Sequence, residues 1–214
     1  FDPVTSFDPI ILVASSQEVF QVSAVTPFPS VREVIDYAKA NPGKLSFGTP
    51  GSGSSPHLAA EMMKAQANIF ATHIPYRGAA PAMQDLLGGQ LDFMFDPGIG
   101  LQHVRAGKLK MLAVGSPTRS PLFPEVPTMA EAGLKGFDAD SWFGFYAPSA
   151  TPPAVVTKLN AEINKILATK AFQDRITALG AIAAPMSPAD FGARAAIDST
   201  RFGKLIAERG IKGD

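Results

Sequence analysis

The chain has 214 residues, 46% of them hydrophobic, enough to bury a substantial core in one large domain or two small lobes. Its 19 basic and 19 acidic residues cancel, so no net field draws nucleic acid or an anionic membrane surface. Cysteine is absent, which excludes disulfides and thiol chemistry, and no apolar run approaches the roughly 18 residues that a transmembrane helix needs.

Taken in order, extended segments at 10–14 and 19–25 open the chain. Ser30-Val31-Arg32-Glu33 predicts a capping box and a helix that ends near Asn41-Pro42-Gly43. A short strand at 45–47 then meets GTPGSGSSPHLAAE, Gly48 to Glu61, after which Leu58, Met62, Met63 and Ala65 recur at helical spacing. Ser55 followed by Pro56 predicts an N-cap with proline at the first helical position. A strand at 73–75, a helix at 80–87, an apolar strand at 91–95, a short helix at 99–106 and a strand at 109–114 follow. Strands alternating with short helices predict a mostly parallel sheet with helices on both faces. Beyond Ser116, four prolines crowd a connecting segment that ends in a second capping box, Thr128-Met129-Ala130-Glu131. An aromatic strand at 141–147, a long helix from Thr151-Pro152 to about residue 169 and two more helical stretches complete the chain.

In an open parallel sheet, ligands sit outside the carboxyl ends of the strands. Three such places carry chemistry. In the glycine-serine loop, small side chains permit close approach while hydroxyls and the N–H groups of the next helix face inward, an anion site in outline. A tight strand-to-helix turn fits the same stretch. No lysine and hydroxyl follow the last glycine as in a P-loop, Gly51 and Gly53 are followed by Pro56 rather than a third glycine, and no G-x-S-x-G surrounds a serine. A small carboxylate is therefore a more natural guest than a nucleotide. Tyr76-Arg77-Gly78 offers a phenol and a guanidinium that can grip a carboxylate in two-point fashion. Asp96-Pro97-Gly98 offers a carboxylate for a ligand amine or hydroxyl, or for Arg77. Singly, these residues fit a solvated charge or a helix cap as well; their recurrence at one end of one sheet favours a site.

Other conspicuous residues carry less. His57, His73 and His103 share no metal-ligand spacing, so neither metal nor cofactor is expected. Trp142, Phe143, Phe145 and Tyr146 read as core or hinge packing, and nothing pairs Asp92 with Asp96 as an acid-base couple.

The blocks GTPGSGSSPHLAAEMM, HIPYRGAAPAMQDLLGGQLDFMFD, AGKLKMLAVGSPTRSPLFPEVPTMAEAGLKGF and WFGFYAPSATPPAVVTKLN resemble, in order and spacing, those of the substrate-binding proteins of tripartite tricarboxylate transporters, the Bug family of periplasmic receptors. The resemblance runs over essentially the whole chain. It implies an α/β type II periplasmic binding protein fold of two lobes with a hinge, closing on a small carboxylate that is delivered to membrane components of the transporter. It implies ligand contacts at Thr49, Gly51, Ser52, Gly53, Ser54, Ser55, His57, Tyr76, Arg77, Gly78 and Asp96, with the amides of Gly78 and its neighbours ranked above the Arg77 side chain.

Family members carry roughly ninety residues before the segment matching Phe1-Asp2-Pro3. The resemblance therefore implies an incomplete first lobe, with the second lobe at 12–138 and hinge strands and first-lobe remainder at 1–11 and 139–214. It also implies a periplasmic location, a signal sequence upstream of the quoted residues, and self-association if the chain is a true fragment. A ligand-sensing domain of a transcription regulator shares the two-lobed architecture. A hydrolase using Ser54 or Ser55 would need an elbow and a base that the sequence does not offer.

Overall fold

The computed structural model describes residue 2 and residues 5–213. They fall into two compact units: Phe1–Ser16 with Ser141–Lys204, and Gln17–Asp140 with Leu205–Asp214.

The first unit is built on a three-stranded antiparallel sheet. Strand β1 (Phe7–Ser16) lies in its centre. The strand that follows in sequence, β2 (Val19–Ser23), belongs to the second unit. The remaining first-unit elements are β7 (Ser141–Pro148), α5 (Pro153–Leu167), α6 (Lys170–Ala178), β8 (Ala181–Ala183) and α7 (Pro188–Arg209), whose last turn passes into the second unit. Strand β8 was not expected; three residues are too few to show a period.

Ile10 and Ile11 of β1 pack with Ala147 and Leu167, and Asn160 of α5 donates to the Ile10 carbonyl at 2.8 Å. Phe191 of α7 is fully buried and meets Trp142 edge-on at 5.3 Å. Phe143 and Phe145, expected in a core or hinge, are instead 52% and 54% exposed, because alternation along β7 turns them away from the face that meets Phe191.

Gly144 is what admits the Phe191 ring. A Cβ there would lie 2.3 Å from Phe191 Cζ and 2.9 Å from the Ile11 carbonyl oxygen. Gly144→Ala is therefore expected to destabilise this unit by about 1–3 kcal/mol. A urea midpoint unchanged from the parent would contradict that packing.

In the second unit, β2 is joined by β3 (Ser46–Thr49), β4 (Thr72–Pro75), β5 (Phe93–Asp96) and β6 (Leu109–Val114) in the order β4-β3-β5-β2-β6. Strand β3 runs parallel to β4 and β5, whereas β2 is antiparallel to both of its neighbours. The sheet, expected to be mostly parallel, thus has one reversed strand, β2.

The helices are α1 (Val31–Ala40), α2 (Ser55–Ala67), α3 (Ala79–Leu87) and α4 (Leu101–Arg105). Val31, Val34, Ile35 and Ala38 make the buried stripe of α1. The sheet core is aromatic: Phe20 lies 5.2 Å from Phe93 and 5.1 Å from Phe95, and Phe47 stacks on Phe93 at 5.4 Å, all four fully buried.

The two capping boxes differ from expectation. The Ser30 hydroxyl donates to the Glu33 carboxylate and makes no bond to the backbone of α1. At Thr128 the reciprocal bonds form, Thr128 N–H to Glu131 Oε2 at 2.8 Å and Glu131 N–H to Thr128 Oγ1 at 3.1 Å. Only a turn follows, because Leu134 N–H already bonds the Met129 carbonyl and closes it.

Candidate functional site

Parallel pairing places the carboxyl ends of β3 and β4 side by side, with Thr49 opposite Pro75 and Ser46 opposite Thr72. Two backbone bonds then stitch the loops that leave them: Tyr76 N–H to the Thr49 carbonyl at 2.9 Å, and Gly78 N–H to the Pro50 carbonyl at 3.2 Å. Strand β5, parallel to β3, ends at Asp96, so the third loop leaves from the same end of the sheet.

The residues expected at the site divide sharply by burial. Gly53, Ser55 and Arg77 are exposed, and Gly51, Ser52, Ser54 and Gly78 are half-buried. Ser54 rather than Ser55 is the N-cap of α2, and its hydroxyl donates to the Gly51 carbonyl at 2.7 Å instead of capping the helix. That bond commits the Ser54 proton to the loop itself rather than to a histidine base. Gly53 adopts φ +78, a left-handed conformation that costs glycine nothing, and a Cβ at Gly53 or Gly78 would meet no atom within 4 Å. Arg77 takes part in no ion pair or hydrogen bond among the described residues. The amino end of the 13-residue helix α2 carries the partial positive charge of a helix terminus.

Four expected contacts point elsewhere. Thr49 is fully buried; its hydroxyl lies 2.6 Å from His73 Nε2 and 3.2 Å from the Gly51 carbonyl. His57 is 6% exposed and accepts a bond from Gly53 N–H at Nδ1, 3.0 Å away, supporting the loop from beneath. The Tyr76 hydroxyl donates to Asp85 Oδ2 at 2.6 Å. Burial, reinforced by that carboxylate, pushes the Tyr76 phenol up to about 12, so it stays protonated with its proton engaged.

Asp96 is fully buried and does not pair with Arg77. Its Oδ2 accepts from Gly100 N–H at 2.7 Å, Gly98 N–H at 3.1 Å and Gln21 Nε2 at 3.2 Å, which makes it the internal anchor of the β5 loop. Burial raises its pKa above the usual aspartate range against the opposing pull of those donors. The Gly78 amide, ranked above the Arg77 side chain on the sequence, donates to the Pro50 carbonyl at 3.2 Å.

Beneath the loop lies a charged layer that the sequence did not suggest. His57 stacks on His73 with ring centroids 3.9 Å apart, and His73 stacks on Phe47 at 5.0 Å. Glu61, one turn along α2 from His57, is paired with Lys64 and accepts from Arg209 Nε at 2.8 Å. Glu61 and Lys64 are each 6% exposed. Burial raises the Glu61 pKa, but bonds from Lys64 and Arg209 outweigh that and hold the carboxyl below its ordinary value of 4.5. The i, i+3 spacing of Glu61 and Lys64 was visible in the sequence; their burial was not.

The first unit has an apolar cleft of about 480 Å³, lined by Phe7, Trp142, Tyr146, Asp198 and Phe202 among others. Its one carboxylate is already engaged by Trp142 Nε1 at 2.7 Å, Arg194 at 3.0 Å and Arg201 at 2.8 Å. Among the described residues that line it there is no lysine or arginine.

The sequence profile described as "Tripartite tricarboxylate transporter family receptor" matches residues 1–211. A protein from the tcbD-tcbE intergenic region of Pseudomonas sp. strain P51 is 40% identical over 204 residues, 94% of this chain; the chain spans 61% of that relative's length. A structure of the Rhodopseudomonas protein described as "R. palustris Rpa4515 with adipate" is 32% identical with a TM-score of 0.91, over 99% of this chain and 71% of that one. The periplasmic binding protein BugD is 35% identical with a TM-score of 0.90, over 100% of this chain and 73% of BugD.

Proposed function

Since the chain belongs to the tripartite tricarboxylate transporter receptor family, we propose that it is the larger part of a periplasmic solute receptor that captures a small carboxylate and passes it to the membrane components of such a transporter. Adipate in a relative of the same fold supports a dicarboxylate as the ligand class. The observation that carries the reading is the stitched pair of loops after β3 and β4. They present exposed Arg77 and, at the start of α2, exposed Ser55, with open space at Gly53 and Gly78. Within that site Arg77 grips one carboxylate, Ser52 and Ser55 with nearby amides hold it directly or through water, and Ser54 fixes the loop through its bond to the Gly51 carbonyl. Thr49, His57, Tyr76 and Asp96 act from behind, shaping the loops. The role is binding without turnover: the arrangement supplies donors to an anion but no nucleophile with its base.

Calorimetric titration with adipate tests the assignment. Arg77→Ala is expected to weaken adipate at least about tenfold, as loss of a charge-assisted bond does. Ser54→Ala with Ser55→Ala is expected to weaken it by a smaller factor, with the urea midpoint little changed. Affinity unaltered in both variants would move the site away from these loops.

A further inference from the structure

We propose that His57 is the positioning residue of the 49–55 loop, and that the loop keeps its shape only while this buried imidazole is neutral. The proposal rests on that loop being the carboxylate site argued above.

The Gly53 amide donates to His57 Nδ1 at 3.0 Å. An imidazolium bears hydrogen on both nitrogens and cannot accept, so the bond requires a neutral ring with its proton on Nε2. Gly53 has no side chain, is exposed, and would meet no packing atom at a Cβ, so this bond ties the crest of the loop to the interior. His73, stacked on His57, reaches the base of the same loop at Thr49. Two adjacent imidazoles thus hold two points of one binding loop.

Charged groups bear on the pair from every side. Glu61 Oε1 lies 3.9 Å from His57 Nε2 and favours a proton there. Lys64 on the same helix, Arg209 at the end of α7, His73 on β4 and the positive end of α2 oppose a second charge. When acid does place a proton on Nδ1, an acceptor becomes a donor facing the Gly53 donor. The crest is then released and the ligand groups on it lose their register.

The test uses the 214-residue chain, His57→Asn and His57→Ala. Asparagine Oδ1 reaches about where Nδ1 sits and accepts the same bond, but it does not titrate. Hydrogen exchange of the Gly53 amide is compared between proteins at matched pH, while the His57 ring nitrogens are followed by NMR. At about pH 7.5 the parent and the asparagine variant are expected to protect Gly53 alike, and the alanine variant about tenfold less. As the His57 ring titrates on the way to about pH 5, protection in the parent is expected to fall about tenfold below that of the asparagine variant, with the ring's own midpoint. A His57 ring that takes up no proton over that range, or a Gly53 amide that ignores it, overturns the proposal.

Adipate titrations at about pH 7.5 and about pH 5.5 supply the second readout, adipate's own protonation being common to all three proteins. The parent is expected to lose several-fold more affinity on acidification than the asparagine variant; equal losses overturn the link to binding. If none of the proteins binds adipate, the assignment of the site to that ligand fails, while Gly53 exchange still decides the role of His57.

Discussion

Glu61→Ala is expected to cost the protein about 3–5 kcal/mol, the range found when one member of a buried ion pair is removed. Glu61 and Lys64 are almost wholly buried, and Arg209 completes the pairing. Alanine would leave the Lys64 ammonium in the interior, facing the Phe47 and Phe70 rings at 5.2 and 5.6 Å, whose attraction offsets only part of the lost hydration. Glu61→Gln keeps the shape and one acceptor and should cost less. Because the folded pKa of Glu61 is held below 4.5, the stability its charge contributes is fully present above that pH and is lost as pH falls through the lower, folded value. The stability gap between the parent and the glutamine variant should therefore narrow in acid below about pH 4.5. Urea titrations over pH would show it, and a gap that widened in acid would contradict the pairing.

The second large effect is expected at Asp96. Alanine there strips the acceptor from the Gly98 and Gly100 amides and the Gln21 side chain, at about 3 kcal/mol or more, since each buried donor left without a partner costs about 1–3 kcal/mol. Asparagine keeps an acceptor and carries no charge, and should stay within about 1 kcal/mol of the parent. Here the sign with pH is opposite to that of Glu61. A folded pKa raised above 3.8 means that the native state resists ionisation, so the parent loses stability relative to Asp96→Asn as pH climbs from below 3.8 through the folded value. An asparagine variant as damaged as the alanine one would show that the charge itself is required.

These two residues mark what could and could not be read from the chain. The alternation of strands and helices from residue 45 to 114 was legible, since apolar runs bounded by Gly, Pro and Asn leave few other choices. So was the proximity of the first two loops, which follows from placing strand ends on one side of a parallel sheet. The reversal of β2 was not, because strand direction depends on partners far along the chain. Nor was the division of labour within the site. Asp96 and Arg77 both follow strands, and only coordinates reveal that one is sealed in by three donors while the other stands open. His57 belongs to the same class: its position in the binding motif suggested a ligand contact, whereas its ring turns inward to meet an amide whose direction is set by the φ of Gly53.

Strand β2 also sets a timetable for synthesis. Its five residues are all buried, between β5 and β6, and neither neighbour is complete until the ribosome has passed Asp96 and then Val114. At roughly 5–20 residues per second, this wholly buried strand waits several seconds with both edges bare. Meanwhile β3, α2 and β4, whose contacts are local, can already assemble. The nascent chain thus carries an aggregation hazard at β2, and the late arrival of β6 is the event that removes it.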